Sequence, residues 1–132
     1  MKTQLGRIVI LVKDYDEAFE FYEMNLGCKK FFDLTDDNGQ RFLHISFDSE
    51  SPAGIWFIKA ETEEQKKCIG RQTDGMPAFV LYTDSFDEFV NRLILNNVTI
   101  LREAEVSADS VSLSFLDLYG NEIVLVQLNK DS

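Results

Sequence analysis

Reactive side chains are sparse in this chain, and they are not grouped the way catalytic sites group them. The only histidine is His44. It alternates with Phe42 and Ser46 on a short apolar segment, opposite Leu43, Ile45 and Phe47. An imidazole titrates near neutrality, so it suits a general base or a ligand-binding group. The alternative is a half-buried, hydrogen-bonded strand histidine, which the lack of a second histidine favours. Cys28 and Cys68 are far apart and form no C-x-x-C pair. They support neither a structural zinc site nor a redox motif, and two free thiols suit a reducing compartment. Asp36-Asp37 reads as a solvated hairpin tip rather than a catalytic carboxylate pair, and residues 61–67 as a solvated charge run. No G-x-S-x-G elbow, phosphate-binding loop or dinucleotide fingerprint is present.

Composition narrows the classes further. The chain has 132 residues, 45% of them hydrophobic, which is the size and apolar content of one ordinary domain. A formal net charge of −10 opposes binding to nucleic-acid phosphates and to anionic membranes, so neither partner is expected. Attraction of cationic ligands is the functional reading of that charge, and plain solubility the simpler one. No apolar run approaches the roughly 18 residues of a membrane span. Residues 8–12 are too short for a signal-peptide core, and Lys13-Asp14 follows them with no small-residue cleavage site. A cytoplasmic location is expected.

The elements that must position these residues repeat. Tyr15, Ala18, Phe19, Tyr22 and Leu26 form the apolar face of one helix. Phe86, Phe89, Val90 and Leu93, followed by Asn97 at the last position, form a second face. From Tyr15 and Phe86 to Tyr22 and Leu93 the displacement is a constant 71 residues. Asp14 with Glu17 resembles a capping box, and Ser85 with Glu88 is expected to form one. An equal shift of face and cap points to a duplicated unit. Each helix follows a short apolar strand, at 8–12 and 78–82, of β-branched or aromatic character. Strands are expected after the first helix at 28–34, 41–48 and 54–59, with Asn38-Gly39 as a hairpin turn. After the second they are expected at 98–103, 109–117 and 122–127, the last two joined through Tyr119-Gly120-Asn121. A short helix is expected near Glu63–Cys68, and the tail from Asn129 is expected to be loose.

Val12-Lys13-Asp14, then Phe21-Tyr22 and Leu26-Gly27, resemble the opening of the glyoxalase/bleomycin resistance (vicinal oxygen chelate) superfamily. The run from Phe115 through Asp117, Gly120 and Asn121 to Ile123 resembles its close, with Leu118 where the family usually carries proline. The resemblance covers nearly the whole chain. It implies an α+β fold of two βαβββ modules in tandem, forming cupped mixed sheets. Module one covers about 1–60, a linker about 61–75 and module two about 76–128, within a single domain over 1–132. Members that do chemistry usually hold a divalent metal through His, Glu or Gln from both modules. Carried over, the first ligand position is Arg7, seven residues before Asp14, and its counterpart before Asp84 is Pro77. The closing glutamate falls on Val124. Its first-module counterpart is Trp56, with Ile58 as the other register. None of these supplies a donor, so neither a metal nor a cofactor is expected.

Strand parity then sets the expected lining of the cup. If Arg7 points in, Val9 and Leu11 do too, while Ile8, Ile10 and Val12 point toward a helix. The same logic turns Phe79 and Leu81 inward with Val124 and Val126. The candidate ligand-binding set is Arg7, Val9, Leu11, His44, Trp56, Phe79, Leu81 and Val124, and no catalytic residue is assigned. Such a lining suits a flat apolar small molecule or a weak organic acid. The alternative is that the side chains fill the cup, or pack a dimer, with no ligand. Arg7 is expected to meet either a structural carboxylate, Glu103 or Glu122, or the acid group of a ligand. Two functions stay open. One is a metal-free binding module similar to the family's antibiotic-sequestering proteins. The other is a metal-dependent glyoxalase-type lyase or isomerase, or a ring-cleaving dioxygenase, whose chemistry needs the missing donors. Members commonly pair modules across two chains, so a homodimer is expected.

Overall fold

The computed structural model describes residues 1–129. Lys130, Asp131 and Ser132, expected as part of a loose tail, lie outside them. The chain divides into two compact units, Met1–Ile69 and Gly70–Ser132. The first holds β1 (Arg7–Val12), α1 (Tyr15–Leu26), β2 (Lys29–Thr35), β3 (Arg41–Ser46), β4 (Gly54–Lys59) and the short α2 (Glu63–Cys68). The second holds β5 (Pro77–Tyr82), α3 (Phe86–Leu95), β6 (Glu105–Val106), β7 (Ser110–Leu116) and β8 (Glu122–Leu128). Each unit is a four-stranded mixed sheet, in the orders β1-β4-β3-β2 and β5-β8-β7-β6. The βαβββ order occurs twice, as the repeat requires. No helix among the described residues is long and apolar enough to cross a membrane.

In each unit the first strand lies parallel to the last. Parallel neighbours need a long crossover, and a helix supplies it. α1 starts where the Asp14 carboxylate accepts the Glu17 backbone N–H at 2.8 Å and closes at Gly27. It buries Ala18, Tyr22 and Leu26, with the Tyr22 ring edge-on to Phe57 at 5.3 Å. Beneath it lie Ile10, Val12, Leu43, Ile45, Ile55 and Phe57, none more than 2% exposed. α3 buries Phe86 and Leu93 over Leu113, Phe115, Ile123 and Leu125. Near the N-terminus of α1, Arg41 of β3 holds Asp33 through two bonds of 2.8 Å and Asp16 through one of 2.9 Å.

Local expectations fail in three places, each for a physical reason. Ser85 makes no cap bond to α3, because its hydroxyl turns to Asp84, and the first helical N–H, that of Phe86, is accepted by the Gln127 side chain at 2.8 Å. The complete capping box is formed instead by Thr62 and Gln65, ahead of α2. Asn97 is not the counterpart of Leu26. It is exposed and left-handed, with φ 57, and ends α3 where glycine ends α1. The expected strand at 98–103 is a single bridge, Ile100 to Phe115, flanked by the Leu101 N–H to Ser114 carbonyl and Leu116 N–H to Thr99 carbonyl bonds. Pairing resumes at Glu105 and Ser112. The charged Arg102-Glu103 stretch is therefore looped out of the ladder rather than paired within it.

Two hairpins use one turn chemistry. The Asp36 carboxylate accepts the Asn38 and Gln40 N–H groups, and the Asp117 carboxylate accepts those of Tyr119 and Asn121. In both, glycine three residues on takes positive φ, 83° at Gly39 and 98° at Gly120. Asn38 does not, so this is a type I turn with a glycine bulge rather than a two-residue hairpin. The aspartates of these motifs hold turns.

Phe19 and Val90 stand at matching places but are half-buried, whereas Tyr22 and Leu93 are sealed. Leu93→Ala should therefore cost roughly 2–5 kcal/mol. Phe19→Ala should cost clearly less, about 1–2 kcal/mol, because part of that ring already meets water. Urea denaturation of both variants checks the order, and a larger loss at Phe19 would contradict this account of the core.

Candidate functional site

The sheet face of the first unit that turns away from α1 carries an aromatic row set by strand register. Phe32 on β2 pairs with His44 on β3, His44 with Trp56 on β4, and Trp56 with Val9 on β1. Paired residues share a face, so one row crosses all four strands. The His44 ring stacks on Phe32 at 4.2 Å and on Trp56 at 5.3 Å, each at 25°. Phe42 lies 6.4 Å from Trp56. Val9 is 39% exposed, and Leu11, Phe32, His44 and Trp56 are half-buried. The structure thus brings Arg7, Val9, Leu11, His44 and Trp56 together on one face, as parity predicts. Phe32 was not foreseen. A bulge between Lys30 and Phe32 makes Phe31 an extra residue in β2, and a bulge leaves no reliable mark in a sequence.

Arg7 stands at the edge of this row. Its register partner on β4 is Gly54, whose other neighbour is Ser46. A Cβ at Gly54 would collide with the Ile45 carbonyl, so no side chain is accommodated there. The Arg7 guanidinium donates from Nε to His44 Nδ1 at 3.2 Å and from Nη1 to the carbonyls of Gly6 and Pro52. Its Cζ sits 4.3 Å from the centre of the Phe31 ring. Within this unit its partners are carbonyls, an imidazole and a ring, not a carboxylate. Glu103 and Glu122, expected as alternative partners, both line a hollow of the second unit. Burial, and then the Arg7 charge, hold the His44 imidazole below the ordinary histidine value.

The second unit corrects two expected site residues. Phe79 and Leu81 pair with Ile123 and Leu125, which are fully buried on the α3 side. Val80 and Tyr82 pair with Val124 and Val126, and they are exposed at 51% and 73%. Phe79 and Leu81 therefore face the helix, and the open face carries Val80, Tyr82 and Val124. The cause is a register shift between Pro77 and Phe79, which reverses the parity counted from Pro77. Beside Val124 lies a hollow of about 180 Å³ bounded by Pro77, Arg102, Glu103, Glu105, Ser112, Ser114 and Glu122. That is smaller than a drug-sized ligand needs.

Register also settles the inferred metal positions. Trp56 lies between His44 and Val9, and Val124 lies between Ser114 and Val80. Trp56, not Ile58, is therefore the counterpart of Val124. Pro77 pairs with Glu122, two before Val124, as Arg7 pairs with Gly54, two before Trp56, so Pro77 is the counterpart of Arg7. The four positions hold Arg7, Trp56, Pro77 and Val124, and a guanidinium, an indole, a pyrrolidine ring and an isopropyl group do not fit a divalent cation. Among the described residues no group of three or more His, Cys, Asp or Glu is placed to hold one.

Comparison with known proteins agrees with this fold. The family model described as the Glyoxalase/Bleomycin resistance protein/Dioxygenase superfamily matches residues 4–125. An uncharacterized protein of Shewanella frigidimarina (strain NCIMB 400) is 33% identical over 134 residues, spanning 98% of this chain and 96% of that protein. The crystal structure of UcmS2 superposes with a TM-score of 0.81 at 23% identity, covering 96% of this chain and 98% of that one. That of TnmS3, an antibiotic binding protein from Streptomyces sp. CB03234, gives 0.77 at 20% identity, covering 97% and 98%. Likeness at these identities establishes the fold.

Two measurements follow. A histidine whose folded value is depressed binds more protons when unfolded, so its contribution to stability is full above the unfolded value and is lost as pH falls through the folded one. The urea midpoint should drop between about pH 7 and pH 5, and His44→Gln should flatten that slope. An equal drop in the variant would assign it elsewhere. Burial pushes the Cys28 thiol up to about 12, while Cys68 is exposed. A disulfide reagent should therefore modify Cys68 in the native protein and reach Cys28 only on unfolding, as mass spectrometry would read.

Proposed function

The chain belongs to the glyoxalase/bleomycin resistance protein/dioxygenase superfamily, and we propose that within it this protein binds a flat apolar or aromatic small molecule without a metal. The observation that carries the reading is the stacked row Phe32, His44 and Trp56, displayed on a sheet face that its own helix does not cover. Planar rings gain from stacking beyond the area they bury. The similar TnmS3 is described as an antibiotic binding protein, which supports the same reading. The metal-dependent alternatives, lyase, isomerase or dioxygenase, lack donors at the four inherited positions, so no catalytic step is assigned. The proposal includes a homodimer that covers the exposed strand edges, and a cytoplasmic location in keeping with two free cysteines.

Trp56 is the single tryptophan, so its fluorescence reports on the site directly. Planar aromatic compounds should quench it saturably, and Phe32→Ala should weaken the best of them roughly three- to tenfold. Absence of saturable quenching by any member of an aromatic library would end the proposal. Stoichiometric, tight uptake of zinc, nickel or manganese by the purified protein would move it to the enzymes. Light scattering that finds only monomer at micromolar concentration would remove the dimer.

A further inference from the structure

The position of Arg7 invites the view that it receives the acid group of a ligand, but its bonding argues otherwise. A guanidinium clamps a carboxylate through one of two edges, Nε with one terminal nitrogen or both terminal nitrogens together. Here the Nε–H is given to His44 and Nη1 serves the carbonyls of Gly6 and Pro52. Neither edge is left whole. Phe31 covers one face of the group. Among its partners, His44 is the one that changes state on the bond.

A bond into Nδ1 means that Nδ1 carries no proton, so the neutral ring must carry its proton on Nε2. Nε2 has no acceptor among the described residues, and no buried side-chain nitrogen or oxygen lacks a partner. Nε2–H is therefore open to the surroundings, on a ring flanked by Phe32 and Trp56. We infer that this face selects a planar molecule bearing a neutral hydrogen-bond acceptor, such as a ring ketone, received by His44 Nε2–H, and that Arg7 positions His44 rather than binding an organic acid. The inference rests on the binding role proposed above and names the ligand chemistry of that same face. Arg7 fixes which imidazole nitrogen donates, and the two rings align a flat ligand with the donor.

The test uses three planar probes of similar shape, fluorenone, fluorene and a fluorenecarboxylate, in equilibrium dialysis against the full chain without a histidine tag. Fluorenone should bind about three- to tenfold more tightly than fluorene, the worth of one added hydrogen bond, and the carboxylate more weakly than both. His44→Phe keeps a stacking ring but removes the donor, and should bring fluorenone level with fluorene. Equal binding of those two by the parent chain overturns this inference and leaves the aromatic-binding role standing. A preference for the carboxylate that disappears in Arg7→Met also overturns it. Failure of all three probes overturns this inference, and the Trp56 quenching library decides whether the aromatic-binding role falls with it. Because His44 is the only histidine, nitrogen NMR of the imidazole gives an answer that needs no variant. The proton should reside on Nε2, and a ring protonated on Nδ1 sinks the proposal.

Discussion

A mixed sheet that buries one face under a helix has little freedom in what its other face displays. Successive side chains alternate, so the residues that seal the core dictate, one by one, those that stand opposite. In the first unit Leu43, Ile45, Ile55 and Phe57 are fully buried on the helix side. Their strand neighbours His44 and Trp56 are thereby turned out, and β1 adds Val9 and Leu11 in register. A slip of one residue in β4 would set Phe57 in water and drive the indole of Trp56 under α1. Full burial of a large apolar side chain is worth about 1.5–3 kcal/mol, and a slip would forfeit several at once. The aromatic row is thus enforced by the core behind it.

The same constraint explains what could be read without coordinates. Alternation along β1, β3 and β4 is regular, so once the family resemblance set Arg7 and Trp56 toward the cup, spacing carried Val9 and Leu11 to the same face. The match of Trp56 with Val124 followed from the duplicated order of elements. β5 failed because its ladder shifts between Pro77 and Phe79, and proline, having no N–H to give, belongs at a strand start or an irregularity. The constant displacement of 71 residues already carried the remedy. It gives Val80 and Tyr82 as the counterparts of Val9 and Leu11. Other features were illegible for a different reason. The partners of Arg7 include backbone carbonyls at Gly6 and Pro52, and a backbone carbonyl leaves no signature in residue type. The Gln127 side chain that accepts the first N–H of α3 arrives from 41 residues away, beyond the reach of any local motif.

Set side by side, the two units show where the repeat has been held and where it has been released. On the buried side Leu43, Ile45, Ile55 and Phe57 correspond through register to Leu113, Phe115, Ile123 and Leu125, all apolar and none more than 6% exposed. On the open side Phe42, His44 and Trp56 correspond to Ser112, Ser114 and Val124. Packing tolerates only swaps of similar volume and polarity, whereas an open face is free to diverge. The first unit has become a stack of rings around one imidazole. The second carries small hydroxyls, aliphatic groups and an acidic hollow.

That divergence bears on chemistry more than on fold. A divalent cation needs oxygen, nitrogen or sulfur donors that converge, and the inherited positions offer an arginine in place of one donor and hydrocarbon or indole in place of the others. Arg7 puts a permanent charge where a ligating side chain would stand. The charge is not left idle: it is bonded to carbonyls, covered by Phe31, and directed through Nε at the one imidazole of the chain. The result is one imidazole, held by an arginine, among aromatic planes. An open face of that kind supports the binding role proposed above rather than one that needs a metal.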